Sequence, residues 1–152
     1  MMTSSIKQRL QNDMKTAMLA KDKQRLGVIR MMLSALKQVE IDERIELDDA
    51  RVAQILHKMV KQHSDSINQY DQAKRSDLAE KERLEKAIVE TYLPEPLNEV
   101  ELDALIASVI NHLQATSIKD MGKVVAELKR VAQGRADMGM VSQKVKKLLT
   151  PS

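Results

Sequence analysis

Several residue types on which much protein chemistry depends are missing or scarce in this sequence. There is no cysteine, which excludes disulfides, thiolate nucleophiles and cysteine metal sites. There is no phenylalanine or tryptophan, and the two tyrosines cannot form the aromatic platform on which single-stranded bases stack. If this protein binds nucleic acid, we therefore expect it to recognise a structured molecule through backbone charge and shape.

Long apolar runs are also missing. No stretch approaches the roughly 18 apolar residues of a membrane-spanning helix, so we expect no membrane partner. The amino-terminal residues MMTSSIKQRL lack the apolar core of a secretory signal peptide. These two absences predict a cytoplasmic protein.

Charge is distributed unevenly along the 152 residues, although the net charge is only +3. Residues 1–40 carry 8 basic and 3 acidic side chains, and residues 117–152 carry 8 and 3. Between them, residues 41–96 carry 9 and 13, and residues 97–116 carry 0 and 3. Any one of these charges is explained by a solvated helix face, but the repeated basic excess favours a polyanionic partner.

Apolar residues recur at helical spacing along nearly the whole chain, and no segment alternates with the period of a strand. The fold class is therefore predicted to be all-α. We expect an N-terminal helical domain with long helices over 1–93, including one helix near 49–71. The extended segment Leu93-Pro94-Glu95-Pro96 marks a boundary, because a residue that precedes proline disfavours helix. A small C-terminal three-helix domain is expected over 97–152.

The C-terminal domain carries clear helix signals. Asn98 with Glu101, and Ser117 with Asp120, have the pattern of a capping box. Gly134 is expected to stop the helix after Ser117, and Asp137 to cap the last one. The apolar positions of these two helices are Met121, Val124, Val125, Leu128, Val131 and Ala132, then Val141, Val145, Leu148 and Leu149.

Basic residues occupy the remaining surface of the same two helices. Lys119, Lys123 and Arg130 align opposite the apolar face of the first, with Lys129 on one flank. Lys144, Lys146 and Lys147 spread over the polar part of the last helix, and Arg135 lies in the turn between the two. Gly122 and Gly134 are interpreted as a thin packing spot and a helix stop that would also let a phosphate approach the backbone.

Catalytic motifs are not evident. His57 and His63 are six residues apart and point to different helix faces, so they cannot chelate a metal as an i, i+4 pair can. Glu80, Glu82 and Glu85 are interpreted as a solvated helix face. The sequence has no phosphate-binding loop, nucleophile elbow or dinucleotide unit. We therefore predict no catalytic residue, no metal and no cofactor.

Several short motifs in the chain match a known family. In the tail these are Gly122-Lys123-Val124, Gly134-Arg135-Ala136-Asp137, Val141 and Val145-Lys146-Lys147-Leu148-Leu149. Earlier in the chain they are Met14-Lys15-Thr16-Ala17-Met18, Arg25-Leu26-Gly27-Val28-Ile29-Arg30, Ser34-Ala35-Leu36-Lys37 and Tyr92-Leu93-Pro94-Glu95-Pro96-Leu97. From about Ile6 to Leu149 the sequence resembles the GatB/YqeY family, and within it the small stand-alone YqeY-like proteins. It departs from the family pattern at Met138-Gly139-Met140, where one glycine is usually followed by a basic or polar residue.

The resemblance implies a tRNA-related binding or accessory module without chemistry of its own. In the tRNA-dependent amidotransferase the similar tail contacts tRNA away from the reacting end. The candidate nucleic-acid-binding residues are accordingly Lys119, Lys123, Lys129, Arg130, Arg135, Lys144, Lys146 and Lys147. One alternative is an adaptor that docks on a protein partner through its helix surfaces. Another is participation in amide transfer from glutamine, which the family name suggests and the missing nucleotide loop and nucleophile argue against.

Overall fold

The computed structural model describes residues 4–151, which contain seven α-helices and one 3₁₀ turn joined by loops. They are α1 Ser5–Ala20, α2 Lys23–Glu43, α3 Asp49–Gln72, α4 Ser76–Glu90, α5 Glu99–Leu113, the 3₁₀ turn Ile118–Asp120, α6 Met121–Ala132 and α7 Met138–Leu149. No strand occurs within this described range, so the all-α prediction is confirmed. The outermost positions of the two predicted domains, residues 1–3 and 152, lie outside it.

The chain divides into two compact units between Leu93 and Pro94. In the first unit α2 contacts α1, α3 and α4, and α3 packs along α4. The core of this unit is built around the apolar face of α2, from which Met32 and Leu36 are completely buried. The other buried members of this core include Leu10, Val28, Ile29, Leu47, Val52, Leu56, Val89 and Tyr92.

Two details of the first unit differ from the sequence-based expectation. Helical spacing predicts that the second helix spans about Lys23 to Glu40, but α2 continues three residues further, to Glu43, before Arg44 adopts a left-handed conformation with φ 55°. The same spacing was interpreted to place Leu84 on the inward face of the fourth helix, but Leu84 is 47% exposed. It precedes the buried Val89 by five residues, which places it about 140° away around the helix.

Two aspartates at the start of α3 accept hydrogen bonds from the N-terminal ends of two different helices. Asp48 caps α3 by accepting a hydrogen bond from the Arg51 N–H at 2.8 Å. Asp49 reaches the beginning of α1, where it accepts hydrogen bonds from the Ser4 hydroxyl, the Ser5 hydroxyl at 2.5 Å and the Ile6 N–H at 3.0 Å. Burial acts to raise the pKa of Asp49, but these hydrogen bonds outweigh it and lower the pKa.

Because its pKa is lower in the folded protein than in the unfolded chain, Asp49 should make stability depend on pH. Its contribution is fully present above the unfolded pKa of about 4 and is lost as pH falls through the folded pKa. In Asp49→Asn we expect this part of the acid sensitivity to disappear. Urea unfolding followed by circular dichroism from about pH 7 to pH 3 measures it. Asp65→Asn, an exposed change on α3, is the control, and identical pH dependence in Asp49→Asn and parent would contradict the prediction.

Tyr92 is a buried member of the core of the first unit. Its side chain is 1% exposed, and its hydroxyl donates a hydrogen bond to the Asp13 carboxyl of α1. The Arg9 guanidinium lies over the ring, 4.9 Å from its centroid. Burial, followed by the hydrogen bond to Asp13, raises the pKa of Tyr92, so the phenol remains protonated at neutral pH.

The second unit is formed by α5, α6 and α7 around one apolar core. The predicted capping box is present, because Glu101 N–H donates to Asn98 at 2.8 Å and Asn98 N–H donates to Glu101 at 3.1 Å. Its core consists of Leu102, Ile106, Val109, Ala115, Val124, Leu128, Ala132, Ala136, Val141, Val145 and Leu149. Leu148, expected on the same face, is 63% exposed because it lies at the edge of that face in the last turn of α7.

Candidate nucleic-acid interface

The segment that begins α6 is fixed by its own polar side chains. The Asp120 carboxylate accepts hydrogen bonds from the Thr116 N–H at 2.9 Å and the Ser117 N–H at 3.3 Å. These backbone bonds, with a smaller effect of Lys123, lower the pKa of Asp120. The capping box predicted for Ser117 and Asp120 is thus confirmed, although a 3₁₀ turn precedes the α-helix.

Helix α6 separates an apolar face from a basic one. Val124, Leu128 and Ala132 are buried, whereas Lys123 and Arg130 are exposed. These two cations are seven residues apart and project within about 20° of each other, opposite Leu128. Lys119 and Lys129 are also exposed, with Lys129 on one flank of the helix. Lys123 and Arg130 therefore share the solvent side of α6 as predicted, whereas Lys119 lies in the preceding 3₁₀ turn and not on the helix.

Two of these cations have acidic neighbours on the same helix surface. Lys123 Nζ lies 3.4 Å from Asp120 Oδ1. Arg130 forms a two-point contact with Glu127, with Nη2–Oε1 at 2.6 Å and Nε–Oε2 at 3.1 Å. The pKa of Glu127 is lowered, chiefly by this hydrogen bonding with Arg130. Exposed pairs of this kind contribute little to stability, so an incoming phosphate can compete for both cations.

Lys144 and Arg135 hold parts of the second unit together. Lys144 Nζ lies 2.8 Å from Asp103 Oδ1 and 3.7 Å from Glu99 Oε1, which links α7 to the first turns of α5. Hydrogen bonding to Asp103 is the main reason that the pKa of Lys144 is raised. Arg135 Nε donates to the Glu95 carbonyl at 2.8 Å. Both cations thus already have partners within the fold, in addition to any role at an interface.

Lys146 and Lys147 lie in the last turn of α7 and are exposed. Their positive charge is favourable at this end of the helix, where the backbone carbonyls carry partial negative charge. Together with Lys119 and Lys129 they form no ion pair within residues 4–151. These four lysines and the paired Lys123 and Arg130 are called the basic tail surface below.

Of the two glycines singled out in this region, one differs from its predicted role. Gly122 is not a thin packing spot, because it is exposed and a Cβ atom there would meet nothing within 4 Å. Gly134 lies directly after the C-cap of α6, where a helix stop was predicted. Helix α6 ends at Ala132, Gln133 takes the left-handed conformation with φ 51°, and Gly134 follows with φ 79°. The predicted cap at Asp137 is confirmed, since it accepts a hydrogen bond from the Gly139 N–H at 3.0 Å.

A sequence model of the family described as Yqey-like protein matches residues 7–149. The chain belongs to the YqeY-like family. This confirms the resemblance inferred from the motifs, which spans nearly the same residues. Across residues 4–151 no helix is both long and apolar enough to cross a membrane.

Several relatives of this YqeY-like protein carry the name "Altered inheritance of mitochondria protein 41, mitochondrial". The protein of Lachancea thermotolerans is 33% identical over 143 residues, which cover 90% of this chain and 76% of that protein. The protein of Kluyveromyces lactis is 39% identical over 109 residues, which cover 69% and 58%. The protein of Pyrenophora tritici-repentis is 30% identical over 144 residues, which cover 93% and 79%.

These names contradict the cytoplasmic location predicted from the sequence. Relatives at 30–39% identity are named as mitochondrial proteins. The cytoplasmic prediction is wrong because it rested only on the lack of a secretory signal and a membrane span. Neither feature distinguishes a cytoplasmic protein from a mitochondrial one.

Proposed function

We propose that this YqeY-like protein is an accessory module that binds the folded body of a tRNA through the basic tail surface. The observation that carries this proposal is the exposure of six cations on α6, α7 and the preceding 3₁₀ turn, all of them outside the apolar core. The family resemblance supports the same ligand, because the similar tail of the amidotransferase contacts tRNA.

The arrangement of acidic residues also favours an anionic ligand. Asp103 and Glu99 on α5 are close to Lys144, so their charge is partly neutralised within the fold. Asp120 and Glu127 are the acidic side chains paired with the basic tail surface, each with one cation. Lys119, Lys129, Lys146 and Lys147 retain their charge for a partner.

The kind of RNA follows from what the surface can contact. Ammonium and guanidinium groups bind phosphate oxygens, whereas single-stranded bases need aromatic side chains on which to stack. Both tyrosines belong to the first unit, and Tyr92 is buried there. Recognition would therefore depend on phosphate positions in a folded RNA and would vary little with sequence.

The proposal predicts a defined salt dependence of tRNA binding. If about three to five phosphates are contacted, log affinity should fall with log salt concentration at a slope of roughly −2 to −4. Filter binding or fluorescence anisotropy with purified protein and deacylated tRNA, over about 50–300 mM KCl, measures this slope. A single-stranded oligonucleotide of equal length is the control and should bind more weakly. Absence of tRNA binding at the lowest salt would refute the proposal.

A second candidate function is a protein adaptor, and it is favoured by apolar side chains that remain exposed in the first unit. Leu19, at the end of α1, is 86% exposed, and its neighbour Met18 is 51% exposed. A stable protein that co-purifies with the parent chain and is lost in Leu19→Ser would support this function. RNA retained by both proteins, detected by absorbance at 260 nm, would instead support tRNA binding.

A further inference from the structure

Three side chains with metal-ligating atoms meet where α3 packs along α4. His63 extends from α3, and Glu82 and Glu85 extend from α4. One ligand atom from each residue lies within 4.8 Å of the other two. We propose that His63, Glu82 and Glu85 bind a divalent transition-metal ion, which links α3 to α4 in the first unit.

The helical framework explains why these three side chains come together. Glu82 and Glu85 are three residues apart, so their side chains lie on the same face of α4. That face meets α3 at His63, whose Nδ1 atom lies 2.6 Å from Glu82 Oε2. Within α3 alone the spacing of His57 and His63 still gives no chelating pair. The ligand set arises only when carboxylates from the following helix are added.

Burial distinguishes this cluster from an ordinary solvated helix face. The side chain of His63 is 12% exposed and that of Glu82 is 22% exposed, and Glu85 is also half-buried. By contrast, Glu80 on the same helix is exposed and lies 3.8 Å from Arg83. The interpretation of all three glutamates as a solvated face therefore applies to Glu80 but not to Glu82 or Glu85. Two half-buried carboxylates beside one imidazole are more favourable with a cation between them.

The donor set indicates which ions would bind. One imidazole nitrogen and two carboxylate oxygens suit Zn²⁺ and Co²⁺, with bonds of about 2.0–2.2 Å and water in the remaining positions. Two ligands of one tetrahedral ion are roughly 3.3 Å apart. His63 Nδ1 and Glu82 Oε2 must therefore separate from 2.6 Å to admit an ion between them.

The test is titration of the full chain with Zn²⁺ by calorimetry, and with Co²⁺ by visible absorption. We expect about one ion per chain, with a dissociation constant in the micromolar range or below. His63→Ala and Glu85→Gln should each weaken binding at least tenfold and lower the visible absorption at a fixed, non-saturating Co²⁺ concentration. Glu85→Gln is the more conservative change, since it keeps the side-chain volume and leaves the hydrogen bond of His63 with Glu82 in place.

Matched controls separate this site from adventitious binding to surface groups. His57→Ala removes another histidine of α3, and Glu80→Gln removes an exposed carboxylate of α4. Both variants should bind Zn²⁺ as the parent does. At the same Zn²⁺ concentration, the midpoint of thermal unfolding should rise equally for the parent and both controls, and by clearly less for Glu85→Gln. No binding by the parent at about 100 μM Zn²⁺, or equal binding by the parent and Glu85→Gln, would overturn the proposal. Neither result depends on whether tRNA binds the second unit.

Discussion

Replacing Lys119, Lys123 and Arg130 together by alanine is expected to weaken tRNA binding about 100-fold at 100 mM salt. Each lost phosphate contact removes the release of roughly 0.7–0.9 counterion, so three lost contacts reduce the steepness of the salt dependence by about 2. All three side chains are exposed and lie outside the core of the second unit, so the variant should remain folded. Titration of deacylated tRNA at several salt concentrations measures both effects.

The controls for this variant should remove the same charge elsewhere. Lys58, Lys61 and Lys81 are exposed lysines of the first unit, and replacing all three by alanine lowers the net charge equally. This control should lose little affinity, because removing charges that contact no phosphate leaves the counterion release unchanged. Equal losses in the two variants would mean that overall charge, and not the basic tail surface, determines binding.

A second basic surface provides the remaining comparison. Lys23, Arg30 and Lys37 are all exposed on α2 and recur every seven residues, so they form one stripe. A second triple variant replaces Lys23, Arg30 and Lys37 by alanine. If this variant no longer binds tRNA while the tail variant binds as tightly as the parent, the interface lies on the first unit. The proposal that the tail is the binding surface would then be wrong.

The features that could be predicted from sequence depend on residues close to each other in the chain. The capping boxes at Asn98 and Ser117 and the cap at Asp137 involve residues two to four positions apart, and all three are present. The apolar and basic faces of α6 were equally predictable, because helical periodicity alone determines which side chains share a side. Periodicity could not show where the apolar face of α7 ends, so the exposure of Leu148 was missed. Leu84 was misassigned, since helical spacing places it about 140° from the buried Val89.

The contacts that sequence analysis missed join residues that are far apart in the chain. Lys144 and Asp103 are 41 positions apart, so the ion pair between them could not be inferred from the basic pattern of α7. Asp49 and Ser5 are 44 positions apart, so the hydrogen bond between α3 and the beginning of α1 could not be inferred from local sequence. His63 and Glu82 are 19 positions apart, on two helices whose relative rotation depends on packing. A pattern search within single helices could not have found any of these pairs.

Tyr92→Ala is expected to destabilise the first unit by about 3–5 kcal/mol. The change removes the largest fully buried side chain and leaves a cavity in the core of the first unit, and both effects lower stability. It also removes the hydroxyl that donates a hydrogen bond to the Asp13 carboxyl, and the ring over which the Arg9 guanidinium lies. Urea unfolding followed by circular dichroism at 222 nm measures the loss. Tyr70→Phe, which alters the other, half-exposed tyrosine, should change stability by less than about 0.5 kcal/mol.

A more conservative change separates the hydrogen bond from the packing of the ring. Tyr92→Phe keeps the buried ring, so its expected cost of about 1–3 kcal/mol reflects mainly the loss of the donor to Asp13. Asp13→Ala leaves the buried Tyr92 hydroxyl without this acceptor and should cost a similar amount. Since both single changes break the same hydrogen bond, the double variant should lose clearly less stability than the two single losses added together. Strictly additive losses would show that Tyr92 and Asp13 are not coupled, and that Tyr92 stabilises this unit through its ring alone.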